Sequence, residues 1–150
     1  MSRVQLALNV SNLDEAIDFY TKLFSTGPAK VRDGYANFAI ADPPLKLVLI
    51  EGAGDPGSLN HLGVEVASTD DVRTAVDRLS TTGLGTAVED EVSCCFAIQD
   101  KVWTDGPDGE AWEIYTVLAD AEMPAGQLRG VEPGGDASCC STAPEPTACC

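Results

Sequence analysis

Two stretches of the chain repeat one pattern of apolar and polar positions. Gln5-Leu6-Ala7-Leu8-Asn9-Val10 alternates, and so does His61-Leu62-Gly63-Val64-Glu65-Val66. Alternation with period two predicts a half-buried strand. Leu6, Leu8 and Val10 share one face, as do Leu62, Val64 and Val66, and Gln5 and His61 point the other way. The period then lengthens. Leu13, Ala16, Ile17, Tyr20 and Phe24 recur at helical spacing, as do Val72, Ala75, Val76 and Leu79. Asn12 and Thr69 are the expected N-caps, and Gly27 and Gly83 stand just beyond the expected helix ends.

The correspondence continues at a constant offset, with Asp14 over Asp70, Leu23 over Leu79 and Gly27 over Gly83. Two copies of one module explain this most simply. Three further strands complete each copy, roughly Ala29–Arg32, Tyr35–Ala41 and Lys46–Glu51 in the first. In the second they are roughly Thr86–Val92, Phe96–Thr104 and Ala111–Leu118. Asp42-Pro43-Pro44 and Asp105-Gly106-Pro107-Asp108-Gly109 are the turns before the last strand of each copy. Aligning these turns sets Leu49 over Glu113. The offset therefore grows from 56 residues at Gly83 to 64 at Glu113. An insertion between Gly83 and Val102 is implied, and Cys94-Cys95 lies inside it.

Each module reads βαβββ. The expected fold is α+β: two modules, about 1–56 and 57–118, forming a curved mixed sheet around a metal site, with the helices outside. Its concave face is expected to carry Gln5, His61, Leu49 and Glu113, with Glu51 on the same face by parity. From about Ala119 to the end, Ala, Gly, Pro, Ser, Thr and acidic residues dominate. Such a segment buries too little apolar surface to offset its ordering entropy, so 119–150 is expected to be a flexible acidic tail.

Charge and cysteines narrow the function. Nine basic and 24 acidic residues give a formal net charge of −15. That field repels phosphate backbones and anionic headgroups, which argues against nucleic acid and membrane surfaces as partners. No apolar run has the length of a membrane span. The N-terminal residues lack the apolar core of a secretory signal, so the expected location is cytoplasmic. The six cysteines fall as adjacent pairs: Cys94-Cys95, Cys139-Cys140 and Cys149-Cys150. Neighbouring Cα atoms lie about 3.8 Å apart, below the roughly 4.4–6.8 Å usual for a disulfide. Reduced adjacent thiols instead offer a two-point grip on a soft, thiophilic atom.

Gln5 and His61 occupy equivalent strand starts, and Glu113 lies on the last strand opposite Trp112 and Ile114. The repeat brings these three together before any chemistry is assumed. An amide, an imidazole and a carboxylate suit a divalent ion such as Fe(II), Mn(II) or Zn(II). Leu49 at the fourth equivalent position cannot ligate, which leaves open coordination positions; a register slip of two would instead add Glu51. The ordinary alternatives are a structural histidine at His61 and an ion pair of Glu113 with Lys101 or Lys46. Phe96, Trp103 and Tyr115 are equally readable as a pocket lining or as core packing. Lys101 is readable as a source of positive potential near an oxygen-derived anion or as a solvated lysine.

On Gln5…Asn9-Val10, Ala16–Tyr20, His61-Leu62-Gly63-Val64 and Asp105-Gly106-Pro107-Asp108-Gly109…Trp112-Glu113, residues 1–118 resemble the vicinal oxygen chelate superfamily, which includes glyoxalase I and extradiol dioxygenases. Three longer stretches narrow the match: Gly34–Ile40, Pro44–Glu51 and Gln99-Asp100-Lys101-Val102-Trp103. With Cys94-Cys95 and the cysteine-ending tail, they resemble the ArsI-type carbon–arsenic lyases and the related cadmium-inducible proteins. The resemblance implies a non-heme Fe(II) enzyme using O2 as cosubstrate. Its substrates would be trivalent organoarsenicals, such as methylarsenite and reduced aromatic arsenicals, cleaved to release arsenite. By position, Gln5, His61 and Glu113 match the iron ligands, and Cys94 and Cys95 match the thiols that hold arsenic. A monomer and a homodimer are both compatible with modules of this kind. Two rivals share the features: a protein that sequesters cadmium or arsenite without chemistry, and a glyoxalase-type isomerase or thiol transferase. Capture and delivery of arsenicals is the role considered for Cys139-Cys140 and Cys149-Cys150.

Overall fold

A computed structural model describes residues 2–94 and 96–121. The elements are β1 (Arg3–Val10), α1 (Leu13–Phe24), β2 (Lys30–Arg32), β3 (Tyr35–Ile40), β4 (Leu45–Glu51), β5 (Leu59–Glu65), α2 (Thr69–Thr81), β6 (Ala87–Cys94), β7 (Ala97–Asp105) and β8 (Ala111–Asp120). The βαβββ repeat is present in both halves. All eight strands join one sheet in the order β2-β3-β4-β1-β5-β8-β7-β6. The order reads the same from either edge if the second copy is renumbered as the first. The seam is the antiparallel pair β1·β5, and each module adds its last strand parallel to its first.

The helices sit where the amphipathic pattern placed them. Leu13, Ala16, Ile17, Tyr20 and Phe24 of α1 close over Leu6, Leu8, Val10, Phe38, Leu47 and Leu49. Val72, Ala75, Val76 and Leu79 of α2 close over Val66, Val102 and Ile114. Asn12 caps α1, its side-chain oxygen accepting from the Glu15 amide. The cap of α2 is Ser68 rather than Thr69. Thr69 begins the helix and donates its hydroxyl to Asp100 on β7, a partner in another strand that local sequence does not reveal. Ser25, not Gly27, takes the left-handed turn after α1, whereas Gly83 does so after α2 with φ +82°. Neither helix is long and apolar enough to cross a membrane.

The implied insertion is an extension of the β6–β7 hairpin, which runs well past the length of β2–β3. Cys94 is the last residue of β6, and Cys95 lies outside the described residues. The hairpin end reaches across the concave face to the opposite edge of the sheet. The Phe96 ring lies 4.9 Å from that of Tyr35 on β3. Lys30 on β2 donates to the Phe96 carbonyl at 3.0 Å and pairs with Asp120. The Ala121 amide donates to the same carbonyl. Strand β8 consequently runs to Asp120 instead of stopping at Leu118, because Ala119 and Asp120 pair with the lengthened β7. The expected tail beyond 121, with Cys139-Cys140 and Cys149-Cys150, lies outside the described residues.

Candidate metal centre

Strand register builds the site. Across the seam, Gln5 faces Gly63 and Ala7 faces His61. Gln5 and His61 are thus diagonal neighbours, each opposite a small residue. Gly63 in turn faces Glu113 on β8. Gln5, Gly63 and Glu113 therefore form a row across three strands, and the two long side chains meet above the glycine. A Cβ at Gly63 would stand 3.0 Å from Glu113 Cγ and 3.3 Å from Gln5 Cβ. Gly63→Ala is expected to retain the fold but push the triad apart. Lower affinity for Mn(II) or Fe(II) by calorimetry checks this.

The three expected side chains converge. Gln5 Nε2 lies 2.9 Å from His61 Nε2 and 2.6 Å from Glu113 Oε1, and His61 Nε2 lies 3.3 Å from Glu113 Oε1. All three are almost fully buried. Among the described residues no three His, Cys, Asp or Glu side chains gather at one point; this group includes an amide.

Two expected members belong to the opposite face. The parallel pairing sets Leu47 beside Leu6 and Leu49 beside Leu8, so Leu49 packs under α1. Glu51 is on that outer side too, and its Oε2 accepts from the Leu13 amide at 2.6 Å. There a carboxylate offsets the positive end of α1 and is no ligand candidate. The position equivalent to Glu113 is Val48, which pairs with Ala7 as Glu113 pairs with Gly63. The correction is one residue, and one residue exchanges the faces of a strand. The fourth position still carries no donor.

His61 is held by a partner that periodicity does not reveal. Pairing shifts by a residue where Ala7 faces His61 but Leu8 faces Leu59, so Asn60 is an extra residue in β5. A bulge re-aims its side chain, and Asn60 Oδ1 comes within 2.7 Å of His61 Nδ1. Asn60 Nδ2 donates to Asn9 Oδ1, and Asn9 Nδ2 donates to Ser58 Oγ. The relay fixes the Asn60 oxygen toward the imidazole, so Nδ1 carries the proton and Nε2 keeps its lone pair for the triad. Asn60→Leu is expected to lower metal affinity by about 10–100-fold, the usual effect of losing such an orienting partner. Metal titration of the folded variant measures it.

Glu113 has two competing influences. Burial alone would push its carboxyl up, but the charge and the hydrogen bond of Lys101 outweigh it. They hold the group well below the usual carboxylate range. Lys101 Nζ donates to Glu113 Oε2 at 3.0 Å, leaving Oε1 toward His61 and Gln5. Lys101 is completely buried and lies over the Trp103 ring. Lys46, the other lysine considered for Glu113, instead pairs with Glu65 at 3.7 Å. Burial, then the carboxylates of Glu113 and Glu65, push the Tyr115 phenol up, so it remains a neutral donor. Its hydroxyl bonds to Gln5 Oε1 and lies 3.2 Å from Glu65 Oε2.

These groups fit a divalent ion. Turning the Gln5 amide by half a revolution presents Oε1 to His61 and Glu113. Its Nε2 then donates to Tyr115, whose hydroxyl donates to Glu65. No hydrogen bond is stranded, and the set becomes an imidazole nitrogen and two oxygens. Trp103 stands edge-on to His61 at 5.5 Å, and Tyr115 is fully buried beside Gln5. Phe96, Trp103 and Tyr115 therefore belong to the concave side. A cleft on the outer face, lined by Val64, Val66, Thr74 and Ile114, contains none of this chemistry.

Residues 3–114 match the family model of the Glyoxalase/Bleomycin resistance protein/Dioxygenase superfamily. The chain belongs to this superfamily. Its sequence is 58% identical over 141 residues to the cadmium-induced protein CadI of Mycobacterium tuberculosis, covering 93% of each chain. It is 56% identical over 142 residues to the trivalent organoarsenical cleaving enzyme of Thermomonospora curvata, covering 94% of this chain and 89% of that one. The superfamily fold is also that of the Mn(II)-bound glyoxalase from Novosphingobium aromaticivorans. That structure has a TM-score of 0.58 at 19% identity and covers 83% of this chain and 43% of its own. An extradiol ring-cleaving dioxygenase from B. fuscum gives 0.57 at 18% identity, covering 80% and 34%.

Proposed function

We propose that the protein is an Fe(II)- and O2-dependent lyase that cleaves the carbon–arsenic bond of trivalent organoarsenicals and releases arsenite. The observation that carries this reading is the meeting of Gln5, His61 and Glu113 on the concave face that the end of the β6–β7 hairpin crosses. The relative named for organoarsenical cleavage supports the substrate class.

Gln5, His61 and Glu113 hold the metal, and Fe(II), when bound, supplies the activation of dioxygen. Cys94 and Cys95 hold the arsenic: R–As(OH)2 and two thiols give R–As(S–Cys)2 and two waters. Only the carbon substituent then remains free to enter the concave site, which makes the reaction effectively intramolecular. Phe96 packs on Tyr35 where the hairpin end meets β3, which keeps both rings out of water. Tyr115 orients Gln5, Asn60 orients His61, and Lys101 balances the charge of Glu113. Incubation with Fe(II), air and methylarsenite is expected to yield arsenite in arsenic speciation. Undiminished cleavage without oxygen would refute the mechanism.

Sequestration without chemistry is the second reading, favoured by the 58% identity to a cadmium-induced protein. It assigns cadmium or arsenite to the cysteine pairs and no turnover to the triad.

A further inference from the structure

One buried polar group is left over when the hydrogen bonds of the concave face are assigned. Gln99 is only 3% exposed, and its Oε1 has no hydrogen-bond partner among the described residues. Stranding a buried acceptor is costly, so such a group calls for an explanation.

Its position supplies one. Along β7, Asp100 and Val102 turn outward, to Thr69 of α2 and to the α2 core. Gln99, Lys101 and Trp103 alternate with them and therefore face the concave side. Lys101 reaches Glu113 and Trp103 abuts His61. Gln99 is one step nearer the hairpin end, paired with Val92 of β6. It thus stands on the concave face between the triad and the hairpin end at Phe96. Farther along the same face, Tyr35 and Phe96 pack together at the hairpin end, and Trp103 lies against His61 at the triad.

We propose that Gln99 is a specificity-determining residue: its amide oxygen accepts a hydrogen bond from a hydroxyl or amino group on the ring of an aromatic trivalent arsenical. This rests on the proposed arsenical reading. Arsenic held by two thiolates has lost its own hydroxyls, so the donor must come from the organic substituent. A site with a buried acceptor discriminates against an analogue that cannot donate, because the acceptor is then left unpaired.

The test measures binding to the Fe(II)-loaded full-length protein without dioxygen, by tryptophan fluorescence. The probes are 4-hydroxyphenylarsenite and 4-methylphenylarsenite, which differ by a hydroxyl and a methyl of similar size. The unaltered protein is expected to bind the hydroxyl compound about tenfold more tightly, as one buried hydrogen bond provides. Gln99→Met removes the acceptor at similar volume and is expected to abolish or reverse that preference. Equal affinity of the unaltered protein for both probes would overturn the proposal, with no variant needed. So would the same change for both probes in Gln99→Met. Absence of binding by either probe would instead sink the arsenical reading itself.

Discussion

His61→Ala is expected to abolish release of arsenite from methylarsenite while leaving capture of the arsenical by Cys94 and Cys95 intact. The imidazole is the one nitrogen donor of the triad and the end of the Asn60–Asn9–Ser58 relay. Losing a direct ligand should cost more than the ~10–100-fold that loss of an orienting partner causes. Turnover by arsenic speciation and arsenical binding should therefore separate in this variant. Cys94→Ser/Cys95→Ser should lose both. Sequestration without chemistry makes a different demand: the thiol change removes all function, and His61→Ala removes none. Unaltered arsenite release by folded His61→Ala would end the catalytic reading.

Lys101→Met is expected to destabilise the metal-free protein by about 3–5 kcal/mol at neutral pH, the cost of leaving one member of a buried pair uncompensated. The pH dependence carries the sign. In the unaltered protein the folded-state carboxyl of Glu113 sits below its unfolded value. Its contribution to stability is present above the unfolded value and is lost as pH falls through the folded one. Without Lys101, burial dominates and moves the folded value above the unfolded one. The penalty then grows as pH rises between the two and shrinks on acidification, when Glu113 is protonated. Urea unfolding between pH 5 and 8 should show the variant recovering stability relative to the unaltered protein at the acid end. Mn(II) should also recover stability at neutral pH, because a cation again faces the carboxylate. A penalty independent of both pH and metal would mean that Lys101 matters only for packing against Trp103.

Much of the site was legible because the chain repeats itself. Equivalent positions in two copies of a strand must meet at a pseudo-twofold seam. That placed Gln5 and His61 together without knowledge of any contact. Glu113 followed from its place opposite Trp112 and Ile114. The error over Leu49 and Glu51 has a definite source. Leu47, Val48, Leu49 and Ile50 are all buried, because β4 is covered on one face by α1 and on the other by the concave interior. A strand buried on both faces shows no alternation, so its parity depended on aligning two turns of unequal length. Asn60 was missed because a bulge leaves no periodic signature. Gln99 was missed because its lack of a partner is a property of its surroundings.

The sequence by itself determined the element types, their twofold repetition and the presence of an insertion around Cys94 and Cys95. Periodicity, caps and offsets between copies are local quantities, written into neighbouring residues. Only the tertiary structure decided which face of β4 looks inward, which lysine balances Glu113, which asparagine orients His61 and where the extended hairpin closes. Each of those depends on groups far apart in the chain and held within a few ångströms by strand register, which a single residue of slip reverses.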